Sequence, residues 1–212
     1  MAWEVARLQP ERIPEATSSL VRAFMPDPVF SFYFPEAANR AKVFGAFFDD
    51  LLHSHIRFRQ VYSASMGGKI VGTAVWRPPD AGEPTDEDRD RSAAAEKRVR
   101  EIDPLAANAL FAGFASLEEQ HPQEPHWYLF FTGVEPGFQS RGIGSELLTP
   151  VLEIADRSRE ICYLETPFPR THAFYRTLDF EIIREGRPFA GSTSLGNASE
   201  PGAASQLSQN LM

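Results

Sequence analysis

The chain has 212 residues, 42% of them hydrophobic, a single cysteine and a formal net charge of −8. That length supports one packed core and is short for two, and the acidic balance excludes the Lys and Arg clusters that a phosphate backbone needs, so no nucleic-acid partner is expected and an amine suits the charge better. Met1-Ala2-Trp3-Glu4-Val5 lacks the basic and then apolar pattern of a signal peptide, and no apolar run is long enough for a membrane span, so a cytoplasmic protein is expected.

Residues 3–8, WEVARL, alternate as an edge strand does and stop before Pro10. Ile13, Ala16, Leu20, Val21 and Phe24 then fall at helical spacing. Residues 25–35, MPDPVFSFYFP, read as a Pro-punctuated aromatic loop that does not continue that helix. A second helix is expected from about Ala38 to Leu52. The run VYSASMGGKIVGTAVW predicts a hairpin turning at Gly67-Gly68. Residues 78–92, Pro-rich and charged, form a linker or lead-in to two helices, Glu87 to Arg100 and Leu105 to Gln120, parted by Asp103-Pro104.

HWYLFFTGV is a strand by its aromatic content, and a helix follows from Ser145 to Arg157 with Leu147, Leu148, Val151, Leu152 and Ala155 on its apolar side. ICYLET reads as a strand, THAFYRTL as a short helix and FEII as a strand. This order predicts an α/β (α+β) sandwich around a mixed sheet. From about residue 190 the composition turns to Gly, Ser, Ala and Asn, so 1–190 is expected as one domain and 191–212 as a flexible tail. No convincing last strand is visible there, since SLGNASEPGAASQLSQNLM is poor strand material.

The stretch GFQSRGIGSELL, residues 137–148, places a Gly-rich loop between a strand and a helix. Such a loop binds phosphate through unpaired N–H groups at the helix start, favoured by the helix dipole. A dinucleotide fingerprint is disfavoured because Leu147 stands where a third glycine belongs. A triphosphate loop is disfavoured because Ser145 follows Gly144 without a Lys. What remains is Gln139-x-x-Gly142-x-Gly144.

In these residues the chain resembles the GNAT superfamily of acetyl-CoA-dependent N-acetyltransferases. The closer resemblance is to its puromycin N-acetyltransferase branch, carried by EPHWYLFFTGVEPGFQSRGIGSELLTPVLE, YLETPFPR and FYRTLDF over about residues 124–180. The resemblance implies a GNAT-like, mostly antiparallel central sheet flanked by helices. It implies that backbone amides of Gln139, Ser140, Arg141, Gly142, Ile143 and Gly144 cradle the pyrophosphate of acetyl-CoA. It also implies that Phe131, Thr132, Gly133 and Val134 pair with pantetheine as if it were an added strand. Gly133 inside a strand marks either a bulge or a close backbone approach.

Tyr175 matches a tyrosine that the resemblance assigns to protonating the departing thiolate, although by its residues alone it reads as packing a short helix onto the sheet. Glu165, ending ICYLE, matches an acidic position near the substrate amine; the alternative is an ordinary strand-end charge. Cys162, among apolar neighbours, reads as a core residue, so acetyl transfer is expected to be direct. His53-x-His55 lacks partners at ligand spacing, and no metal is expected. Phe30, Phe32, Tyr33 and Phe34 line a pocket or fill the core. Asp179 stands where relatives commonly carry glycine, in a turn that favours positive φ.

The expected function is acetylation of a small-molecule primary amine, by a monomer or homodimer without membrane contact. The alternatives are a protein or peptide amine as acceptor, or a CoA-binding sensor without catalysis.

Overall fold

A computed structural model describes residues 2–166, 169–186, 189 and 194–199. Seven strands form one sheet in the order β1-β2-β3-β4-β5-β7-β6. They are β1 (Glu4–Arg7), β2 (Val61–Met66), β3 (Lys69–Arg77), β4 (His126–Val134), β5 (Ile161–Thr166), β6 (Phe180–Gly186) and β7 (Ser194–Ser199). Every neighbouring pair is antiparallel except β4 with β5. The mixed, mostly antiparallel sheet is the expected fold class.

Helices cover both faces. On one lie α1 (Ile13–Phe24), α2 (Pro28–Tyr33), α3 (Ala37–His55), α4 (Asp86–Ile102) and α5 (Pro104–Glu118). Ile13, Ala16 and Leu20 of α1 meet Phe44, Phe48 and Leu52 of α3 and Val75 of β3 in one buried cluster. On the other face α6 (Ile143–Ser158) buries Leu147, Leu148, Val151 and Leu152 against Trp76, Trp127 and Leu129. The short α7 (Pro169–Arg176) contributes Tyr175 to that second cluster.

Local chemistry sets the helix starts. Thr85 Oγ1 accepts from the Asp88 N–H while the Thr85 N–H donates to Asp88 Oδ2, a reciprocal cap on α4. Asp103 accepts from the N–H groups of Leu105 and Ala106 ahead of α5. The same device corrects the expected loop at 25–35: Asp27 Oδ1 accepts from the Phe30 N–H at 3.0 Å and Pro28 occupies the first turn, so residues 28–33 form α2.

The larger correction is β7. Residues 194–199 were expected in a tail, yet they form a strand paired along its length with β5 on one side and β6 on the other. A strand with two partners has its backbone groups satisfied on both edges, and that outweighs the low strand preference of Gly, Asn and Ser. Residues 191–193 and 200–212 of that expected tail lie outside the described residues.

Two irregularities place the site. β4 and β5 pair only through His126–Tyr128 against Ile161–Tyr163, and then part. On its other edge β4 steps from Leu129 opposite Trp76 to Phe131 opposite Val75, which leaves Phe130 as a bulge. The sheet therefore opens in a V below Tyr128, with β4 on one arm and β5 on the other.

Candidate active site

The loop before α6 turns through two residues with positive φ, Ser140 at 60° and Gly142 at 89°. Gly142 meets that geometry without the clash a Cβ would bring, whereas Ser140 holds it at a cost. α6 starts at Ile143 with no side chain capping its first N–H groups, which leaves them available to an anion. Ile143 itself is buried in the core, so it can serve a ligand only through its backbone. A Cβ on Gly144 would lie 3.2 Å from Phe174 Cζ, so this glycine also lets α6 approach α7. Arg141 donates to the Gly137 carbonyl at 2.9 Å and lies over the Phe138 ring, which holds its charge on the loop.

The Glu135 N–H donates to the Val71 carbonyl, which fixes the alternation along β4: Gly133 and Phe131 direct their backbone groups to β3, and Thr132 and Val134 direct theirs to the gap. Gln139 Nε2 donates to the Val134 carbonyl at 2.9 Å and so ties the loop to that strand end. The expected stretch Phe131–Val134 thus narrows to two residues with backbone facing the opening. Gly133 is accounted for differently. A Cβ there would meet Phe24 Cε2 at 2.7 Å and Ala23 Cβ at 3.1 Å, so the close approach is that of α1, and the bulge sits at Phe130.

A cavity of about 160 Å³ lies at the mouth of the V, lined among others by Thr132, Phe131, Glu165, Tyr175 and Phe24. It brings together Glu165 and Tyr175, which stand ten residues apart in the chain, and two of the four β4 residues. Thr132 Oγ1 is buried there without a hydrogen-bond partner among the described residues. A hydroxyl without a partner among the described residues, uncapped helix amides and open strand backbone fit a ligand carrying amides and a terminal phosphate.

Tyr175 is 8% exposed, and burial pushes its phenol above the ordinary tyrosine range, so it stays protonated as a donor. Its ring also packs against Phe174 and Phe180, so packing and cavity lining coexist in one residue. The Glu165 side chain is 5% exposed, which sets it apart from an ordinary strand-end charge. His121 Nε2 lies 3.1 Å from Glu165 Oε1. The phenols of Tyr128 and Tyr163 are raised by burial first and then by the charge and hydrogen bonding of Glu165. Sequence reasoning missed His121, Tyr128 and Tyr163. The aromatic content of HWYLFF and ICYLE was visible, but not its convergence on one carboxylate.

A larger cavity of about 400 Å³ on the same face shares Phe114, Leu117, Tyr128 and Phe130 with the first. Its apolar walls include Phe47, Leu51 and Phe111. Asp50 lines it, accepting from Ser92 Oγ at 3.0 Å, and burial raises its carboxyl above the usual range.

Other expected residues fall into place. Cys162 is fully buried, and burial pushes its thiol up to about 12, which removes the thiolate a nucleophile needs. His53 and His55 each direct Nδ1 to the carbonyl four residues back, that of Asp49 and of Leu51. Of the aromatic run, Phe30 lines the smaller cavity, Phe34 is buried in the core and Phe32 is 61% exposed. Asp179 has φ 59°, the conformation expected of that turn. Among the described residues no group of three or more His, Cys, Asp or Glu is placed to hold a metal, and no helix is long and apolar enough to cross a membrane.

Residues 22–180 match the acetyltransferase (GNAT) family. Among solved structures the chain is similar to one from Corynebacterium glutamicum described as histone acetyltransferase HPA2 and related acetyltransferase, with 23% identity, a TM-score of 0.65, and 95% of this chain and 98% of that one covered. It is similar to the polyamine N-acetyltransferase of Drosophila melanogaster, an enzyme that forms N-acetylagmatine, with 14% identity, a TM-score of 0.57 and coverage of 94% and 100%. A mosquito arylalkylamine N-acetyltransferase-like protein aligns with 13% identity, a TM-score of 0.58 and coverage of 94% and 100%. At these identities the likeness is one of fold.

Proposed function

The chain belongs to the acetyltransferase (GNAT) family, and on that premise we propose that it transfers an acetyl group from acetyl-CoA directly to the primary amine of a small molecule. Family membership makes it an acyltransferase with acetyl-CoA as co-substrate. The observation that carries the finer reading is the cavity at the V, where a sealed carboxylate and a protonated phenol face one space beside the open edge of β4.

In this reading the amides of Gln139–Gly144 hold the pyrophosphate, and the backbone of Thr132 and Val134 aligns the pantetheine arm. Glu165 accepts a proton from the ammonium, which frees the nitrogen lone pair. Tyr175 supplies a proton to the departing sulfur without bringing a charge into the cavity. The thiol of Cys162 has no part in the transfer.

The aromatic walls of the two adjoining cavities support an acceptor with an apolar body, and the amine substrates named for the Drosophila protein support a small amine. The three sequence pieces quoted above support the puromycin-like branch. A cytoplasmic monomer or homodimer completes the reading. That Asp179 adopts the required turn and β7 fills the missing strand position supports catalysis over a sensor without it.

The test is free-thiol release by purified protein given acetyl-CoA and, in turn, puromycin, aminoglycosides, polyamines and amino acids. Amine-dependent release is expected. No release with any amine, in protein whose melting point rises with CoA, would overturn the small-molecule reading.

A further inference from the structure

Transfer from a thioester to an ammonium has a fixed proton balance. The N–C bond forms, the C–S bond breaks with its electron pair going to sulfur, and the nitrogen gives up two protons. One ends on the thiolate and one leaves the protein. Glu165 is the first acceptor in the reading above, on which this inference rests, yet its Oε1 has no solvent-exposed surface and no hydrogen-bond partner among the described residues. A carboxyl sealed in this way needs an outlet to be ready for the next turnover.

His121 stands three residues past α5, in the segment HPQEP, with its side chain 13% exposed. Its Nε2 faces Glu165 Oε1 at 3.1 Å and Glu118 Oε2 at 4.0 Å, and Glu118 is 58% exposed. One nitrogen therefore lies between a buried carboxylate inside and a solvated carboxylate outside. The ring is held by aromatic neighbours, with Tyr128 at 4.3 Å, Tyr163 at 5.1 Å and His126 at 5.5 Å between centroids. We infer that His121 is a positioning residue that takes the acceptor's proton from Glu165 and passes it by way of Glu118 to solvent.

The charged and titratable groups around it come from several elements. Glu165 and Tyr163 face it from β5, His126 and Tyr128 from β4, and Glu118 from the end of α5. From β3, Arg77 NH1 lies 3.6 Å from Glu118 Oε1.

A merely structural tie between α5 and the sheet predicts a different outcome from a relay, and His121→Gln separates them. Glutamine can place an amide donor beside Glu165 where the imidazole stands but cannot carry a proton on. We expect kcat at neutral pH to fall by about 30-fold or more, a threshold set below the roughly 100- to 10,000-fold of a group acting on the reacting atoms because His121 acts through Glu165. KM for acetyl-CoA stays within about two-fold, and the deficit shrinks as buffer base is raised. Glu118→Gln, at an exposed position that folding does not depend on, lowers kcat by about three- to ten-fold with the same buffer response. If the parent acetylates an amine and both variants keep its kcat and pH profile, the relay is wrong and the family chemistry stands. If the parent releases no thiol with any amine, the underlying reading fails and the relay with it.

Discussion

Replacing Gly133 by alanine separates two explanations of a glycine inside a strand. The added Cβ would sit 2.7 Å from Phe24 Cε2, 3.1 Å from Ala23 Cβ and 3.2 Å from Leu20 Cδ2. Carbon pairs prefer separations of about 3.5–4.0 Å, so the nearest contact is short by roughly 0.8 Å or more. Phe24 cannot simply swing away, because its ring is packed against Phe44, Phe48 and Phe131. Ala23 moves only with the α1 backbone. Overpacking of this kind costs about 1–3 kcal/mol, which for a domain near this size lowers Tm by about 2–4 °C per kcal/mol. Because Phe24, Phe131 and Thr132 line the cavity at the V, KM for the amine should rise as well. Thermal unfolding with and without CoA is the assay. An unchanged Tm together with weakened CoA binding would refute the helix-packing argument and restore ligand approach as the reason for the glycine.

Three further outcomes follow from the same geometry. Cys162→Ala should leave turnover within about two-fold while costing about 1 kcal/mol for one deleted buried atom, and a collapse in turnover would reinstate a thiol mechanism. His55 is held uncharged by burial, with its imidazole pushed down from 6.5 to about 4. The unfolded chain then binds more protons between those values, so stability is fully present above pH 6.5 and is lost as pH falls toward 4. The slope is at most about 1.4 kcal/mol per pH unit for one such group. His55→Phe should flatten that slope in denaturant titrations across this window; an unchanged slope would place the effect elsewhere. Asp179→Gly should stabilise the fold by about 0.5 kcal/mol by relieving φ 59°, net of the glycine's own entropy, and a lower Tm would show that the aspartate side chain contributes something the backbone argument omits.

Much of this architecture was legible in residue patterns. Ile13–Phe24 and His126–Val134 are read within the chain itself, because amphipathic spacing and aromatic alternation are local signals. The loop at 139–144 was legible for the same reason. β7 was not, because its stability comes from two partners distant in sequence and not from its own Gly, Asn and Ser. α2 was obscured by Pro28, which ends one helix pattern but, behind Asp27, begins another. Glu165 and Tyr175 were visible as candidates, whereas His121 carries no motif: it is found only through the meeting of α5 with β5, a contact across 44 positions of sequence.

The sheet order has a consequence for how the molecule comes into being. Among the described residues β7 is the last strand in chain order, yet it lies inside the sheet, between β5 and β6. Until residues 194–199 have emerged from the ribosome, β5 has as strand pairing only its short stretch beside β4, and β6 has no partner strand among the described residues. Glu165 sits on the part of β5 that faces Gly196, so the arm of the V bearing the carboxylate is braced by residues translated some thirty positions later. A nascent chain can collapse around α1, α3 and the hairpin early, but Glu165 gains a fixed address only with the closing strand. The cavity at the V thus has its β5 wall in place only once the strand synthesised after it has paired.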